Sequence, residues 1–177
     1  MLVLGGAALV LLIGVGITVG GALGTVGRGA AHPTPSGTSR PQATPSGSLS
    51  AQADSFVNKS LSPAIVAVTR TQASIDANCG SYSARCRDSL LAANLELQNV
   101  LAVINRGPVP ACIGDPTKKV QASTQSMADA VALALSGFQG NNQDTIATGL
   151  RKYSAASPGL KTSMDTLSAA AKTACTT

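Results

Sequence analysis

The sequence has no tryptophan and only four aromatic side chains, Phe56, Phe138, Tyr82 and Tyr153, in 177 residues. Strands of a β-sandwich favour aromatic and β-branched residues, so that architecture is disfavoured. A core of alanine and aliphatic side chains suits close helix packing, which predicts an all-α fold. Histidine occurs once, at His32, and glutamate once, at Glu96. With one histidine, neither a nucleophilic triad nor a histidine-ligated metal can be assembled. The aspartates stand singly, at spacings that suggest no carboxylate dyad, and no glycine-rich phosphate loop follows residue 48. The inventory therefore predicts no enzyme and no cofactor. Positive charge is modest: of the net +5, Arg28 and Arg40 precede residue 49, which leaves +3 beyond it. No dense basic stripe of the nucleic-acid-binding kind is present.

One long apolar run is present. Leu2 to Val26, LVLGGAALVLLIGVGITVGGALGTV, carries no charge and no proline. As a helix it spans about 37 Å, against about 30 Å of bilayer hydrocarbon. A cleaved signal has a shorter apolar region behind a basic start, and no Lys or Arg precedes this run. Residues 1–27 are therefore read as a single-pass anchor in the lipid bilayer, with cleavage and secretion as the alternative. Gly16, Gly20 and Gly24 recur every four residues, a pattern that lets a second membrane helix approach closely. A partner helix or a second copy is expected there.

Residues 28–48 are rich in Pro, Ser, Thr and Gly, with Thr-Pro-Ser-Gly at Thr34–Gly37 and again at Thr44–Gly47. Such composition cannot bury a core and predicts a disordered spacer. Its reach is about 27 Å as a coil and about 65 Å extended.

From residue 49 to 177 the apolar spacing is helical. A first helix runs from about Ser50 to Asn78, with Val57, Leu61, Ala64, Val68, Gln72 and Ile75 on one seam. A second, about Ala84 to Asn105, aligns Leu90, Ala93, Leu97, Val100 and Ile104. Asp115 and Pro116 read as N-cap and first-turn proline of a third helix, which carries Val120, Thr124, Met127, Val131, Ala134 and Phe138. The fourth starts near Gln143 and aligns Ile146, Leu150, Tyr153, Ser157, Leu160, Met164, Leu167, Ala171 and Ala174. Its register passes through Pro158-Gly159 without a slip, so one kinked helix is expected there. Pro63 leaves two options open: a continuous first helix, or a fresh start capped by Ser62. Short connections predict an up-down-up-down four-helix bundle.

That topology decides the cysteines. Cys79 and Cys86 flank the first turn, while Cys112 in the second turn and Cys175 at the chain's end share the opposite end of the bundle. The pairs Cys79–Cys86 and Cys112–Cys175 are therefore expected, since any other pairing would span the long axis. No Cys-x-x-Cys spacing supports a zinc site or a redox pair. Disulfides imply an oxidising compartment, hence an extracytoplasmic domain, whereas Arg28 and Arg40 after the anchor argue for the cytoplasmic side.

Two sets of candidate contacts remain. Gln72, Thr124 and Ser157 interrupt apolar seams and suggest a small polar pocket, although hydroxyls in helices often bond their own backbone. Lys118, Lys119, Arg151 and Lys152 are candidates for an anionic contact, or simply a solvated face. Asn58-Lys59-Ser60 fits a glycosylation sequon. The expected role is binding or assembly in the cell envelope. The alternative is a small-ligand sensor ectodomain; with Met1 alone before the apolar run, it would signal through a membrane partner.

Overall fold

The computed structural model describes residues 47–176; the expected anchor, most of the expected linker and the Gly16, Gly20, Gly24 stripe lie outside the described residues. Those described form four helical rods joined by short connections, with no strand among them. None of their helices is long and apolar enough to cross a membrane.

The first rod comprises α1 (Leu49–Asp54), a π-helical segment (Ser55–Leu61) and α2 (Ser62–Asn78). The π segment resolves the Pro63 question. Proline has no N–H, and its ring would meet the carbonyl four residues back. A wider turn just upstream carries the rod past the proline. Ser62 makes no cap and no new helix starts there; Ser48 caps the rod instead, accepting from the Ala51 amide.

α3 spans Ala84–Arg106, and α4 spans Gly114–Gln139 behind a 3-10 turn at Ala111–Ile113. The expected cap at Asp115 is not made. Asp115 lies inside the first turn, and no side chain caps the helix. Residues 111–113 already curl as a 3-10 turn, so the helix grows out of that turn instead of starting afresh. α5 (Gln143–Thr173) continues unbroken through Pro158.

The α4–α5 connection is closed by backbone bonds. Asn142 N–H donates to Gly137 O and Asn141 N–H to Phe138 O. Asn141 takes a left-handed φ of 49°, which asparagine tolerates better than most residues. The Asn142 side chain then caps α5 by accepting from the Thr145 amide.

The core follows the apolar seams. Leu61, Val68, Leu90, Leu97, Val100, Val120, Met127, Val131 and Leu167 are all buried. The seam of α5 departs from expectation at its end, where Ala174 is exposed and Cys175 is buried. The helix gives out at Thr173, and the disulfide turns Cys175 inward. Cys79 bonds Cys86 across a Cα separation of 4.6 Å, and Cys112 bonds Cys175 across 5.5 Å.

Neighbouring rods run antiparallel. Ser123 meets Ser163 while Gly149 sits on Ala134, so residue numbers fall along α4 as they rise along α5. Asn78 donates to Ser89 between α2 and α3, and Gln121 to Asn105 between α4 and α3. The α4–α5 contact is the closest. A Cβ on Gly149 would collide with the Ala134 amide nitrogen, and one on Gly137 would lie 2.6 Å from that of Ile146. Glycine is required at both points because the neighbouring backbone fills the space of a side chain.

Candidate functional site

The seam between α2 and α5 is built differently. No Cα of α2 comes within 8 Å of a Cα of α5, although α1 and the π segment do approach α5 that closely. The two rods are closest along α1 and the π segment and stand farther apart along α2. Side chains bridge the gap and leave openings along it.

The largest opening holds about 560 Å³, within the range of small-ligand pockets. Ile65 and Val68 from α2 face Pro158, Leu160 and Met164 from α5, and Thr69 stands on the wall. At one end Ser157 Oγ donates to Gln72 Oε1 at 2.7 Å. On the rim Lys161 and Asp165 form an exposed ion pair at 2.7 Å. The wall is thus mainly apolar, its formal charges are matched, and its principal polar element is a bridging amide–hydroxyl pair.

Two smaller openings continue the line. One, of about 320 Å³, lies beside Asp54, Val57, Asn58, Ala171 and Lys172. The other, of about 350 Å³, lies beside Ile75, Asp76, Leu150, Arg151 and Tyr153. Tyr153 stands one helical turn before Ser157. It is only 2% exposed, and its hydroxyl has no hydrogen-bond partner. Burial first, and the Asp76 carboxylate second, push its pKa up to about 12; the nearby Thr71 hydroxyl acts weakly the other way. Thr71 Oγ1 itself donates to Val68 O, which leaves its lone pairs facing the Tyr153 hydroxyl's neighbourhood.

The structure sorts the residues singled out by sequence. Gln72 and Ser157 meet across the gap. Thr124 is not with them: it is fully buried in α4 and donates to Val120 O. That is the back-bonding open to any helical threonine, so residue type alone did not distinguish it from the other two. The basic residues form no single patch. Lys118 pairs with Asp115 at 3.0 Å in the first turn of α4. Arg151 donates to Thr148 Oγ1 on α5, beside Ala134, which lies about 22 Å up α4 from Lys119 at the helical rise. Lys119 and Lys152 are exposed. Asn58 of the sequon is exposed and donates to Asp54 Oδ1.

Three features escaped the sequence reading. Tyr153 was read as a core residue, with no sign of its stranded hydroxyl. The gap itself was not foreseen. Leu91 and Leu95, one turn apart on the outer face of α3, are 50% and 68% exposed. Among the described residues, no group of three His, Cys, Asp or Glu side chains could hold a metal ion. No protein family, curated protein or solved structure matches the chain.

Proposed function

We propose that this chain is a membrane-tethered, extracytoplasmic helical bundle that works by binding, and that the open α2–α5 seam is where it binds. The observation that carries the reading is the gap itself: an apolar groove with a polar bridge, between rods whose backbones stay apart. Ligand sites in bundles are commonly built between helices in this way. The location draws on two disulfides, which persist in oxidising compartments, and on an apolar run long enough to span a bilayer. The up-down-up-down topology suits the role, because it makes the first and last rods neighbours and leaves their seam free to open.

The test has two arms. A membrane-impermeant amine reagent on intact cells should modify Lys118 or Lys152, and the chain should stay in membranes after a carbonate wash. Lysines protected until lysis would overturn the location. For the seam, an envelope extract should raise the melting temperature of the purified full chain. Thr69→Trp, placed to fill the groove from an exposed position on its wall, should abolish the rise. An equal response from both proteins would remove the seam as the site.

A second reading, a sensor that reports occupancy to a membrane partner, draws on the stripe of Gly16, Gly20 and Gly24. A membrane two-hybrid reporter carrying Leu2 to Val26 should lose signal for Gly20→Ile and keep it for Gly14→Ile. Equal signals would leave the segment a plain anchor.

A further inference from the structure

We propose that the outer face of α3 pairs with the same face of a second copy of this chain, the two helices antiparallel, with Asp88 of each copy beside Arg106 of the other. The surface is not the α2–α5 seam, and the inference does not rest on the binding reading above.

The pattern of α3 comes first. Leu90, Ala93, Leu97, Val100 and Ile104 fill its core side. The opposite side carries Leu91, Leu95, Asn99 and Ala102, and both leucines are half or more exposed. Between Asp88 and Arg106 the only charged residue is Glu96, which is partly buried. A helix face kept in water ordinarily carries charge. An uncharged face from which two leucines stand out suits a contact.

Spacing sets the register. Asp88 and Arg106 are 18 residues apart, which at about 3.6 residues per turn is five whole turns. They therefore end one line along the helix, about 27 Å long. Leu95 and Asn99 stand on that line, each seven residues from its nearer end. Both ends are exposed. Asp88 pairs with its chain neighbour Arg87 at 3.3 Å, in an exposed contact; among the described residues Arg106 forms no ion pair. A line with opposite charges at its ends and none between is complementary to itself only when reversed. Two antiparallel copies bring Asp88 beside Arg106, Leu95 beside Asn99 and Leu91 over Ala102, each pair twice. Parallel copies would set Asp88 against Asp88 and Arg106 against Arg106.

The relief of the face agrees with that register. The leucines occupy the first half of the line. The second half is low: Asn99, Ala102, Val103 and Arg106 border an open recess of about 310 Å³. Reversal lays the leucine half of each copy over the low half of the other. This balance of the two halves is what selects a second copy, because an unrelated partner helix would not require it. The strip is about 27 Å by 10 Å, well short of the ~800 Å² per partner of a standard interface, so the dimer is a transient one with a Kd on the order of 100 μM.

The experiment uses the purified full chain with Gly20→Ile in every sample, so that residues 2–26 contribute no pairing of their own. Arg106→Lys keeps the charge and supplies an amine that a carbodiimide joins to a touching carboxylate. Within one copy the two positions stand about 27 Å apart, so a link between them must join two copies. Peptide mapping should find Asp88 coupled to that amine. Leu95→Glu should cut the yield at least tenfold with helicity and melting temperature unchanged, since the leucine is exposed in the single copy. Charge reversal then reads the register by sedimentation equilibrium. Asp88→Arg and Arg106→Asp should each weaken dimerisation about tenfold. An equimolar mixture of these two variants should recover it, as should both changes in one chain. A chain that stays monomeric to about 1 mM would overturn the proposal. So would a dimer that lacks the Asp88 link and ignores both reversals, which would place association on another surface.

Discussion

α5 meets α4 on one side and α2 on the other, and the two contacts are opposites. Against α4, Gly149 and Gly137 bring backbone onto backbone with no room for one more carbon. Against α2, no pair of Cα atoms comes within 8 Å, and Tyr153, Ser157 and Met164 reach into the space between. Both faces carry apolar residues at the same helical spacing. What differs is side-chain size at the point of contact, since each seam holds a polar pair, Ser123–Ser163 in one and Gln72–Ser157 in the other. One face is closed backbone to backbone, and the other leaves openings between the helices.

The closed seam breaks most severely where it is stapled. Replacing Cys112 and Cys175 by serine should cost about 4 kcal/mol on the loop-entropy estimate for a sequence separation of 63, against about 2.5 kcal/mol for Cys79 and Cys86 at a separation of 7. Denaturant titration of the two double variants should give that order. Equal losses would mean that the ends of α4 and α5 are held by packing and not by the bond.

Next in size is a pair of glycines on one helix. Gly149→Val should lower stability by about 3 kcal/mol, because the added carbons meet Ala134 backbone. Gly159→Ala should raise it by about 0.5–1 kcal/mol, since its nearest neighbour would be Ser123 Oγ at 3.8 Å and alanine suits a helix better. Chemical denaturation of both would measure the comparison directly. A tolerated Gly149→Val would show that α4 and α5 can part.

The open seam has a signature in alkali. Tyr153 is buried with its pKa pushed up to about 12, above the ordinary tyrosine value of 10.0. Below pH 10 both folded and unfolded chains hold the proton, and its contribution is fully present. Between pH 10 and 12 the unfolded chain ionises first, so the folded state loses up to roughly 2.7 kcal/mol. Tyr153→Phe should remove that part of the decline and be neutral or slightly stabilising at pH 7, because it deletes an unpartnered hydroxyl. Urea titrations of parent and variant across this range would show it; parallel curves would mean that the hydroxyl finds a partner in solution.

The smallest effect belongs to the bridge. Ser157→Ala and Gln72→Leu should each cost less than about 1 kcal/mol, with a coupling energy of a few tenths in a double-mutant cycle. A coupling near zero would mean that the helices part often enough to break the bond.

The four rods were legible because their apolar spacing is regular, and the continuity of α5 through Pro158 was read correctly because Leu160 and Met164 keep step with Tyr153 across it. Both cysteine pairs followed from which turns share an end. Pro63 was not decidable, because a π segment changes the phase of the rod without changing which residue types precede it. The gap was not legible at all. Val68, Leu160 and Met164 obey the same spacing as Val120, Met127 and Val131; periodicity shows which face is apolar but not how near the neighbour stands. Gly137 and Gly149 offered a signal that went unused: each weakens its helix by about 1 kcal/mol relative to alanine, which makes sense only where a neighbour needs the space. Gln72 and Ser157 stood out as polar breaks in apolar seams, yet Thr124 carries the same mark and turned out to be bonded to its own helix.

The two disulfides also set how far the chain can be drawn out. Pulled by residues 47 and 176, the fully reduced polypeptide would reach about 450 Å. In the oxidised chain the pull passes from Cys79 to Cys86 and from Cys112 to Cys175, and everything between the members of each pair carries no load. About 60 residues remain on the path, or roughly 200 Å. All of α4 and α5 lies within the longer bypassed loop. Tension applied at the two ends would unravel the first rod and α3 and leave the closed seam slack, a mechanical shelter for the half of the bundle that is packed most tightly.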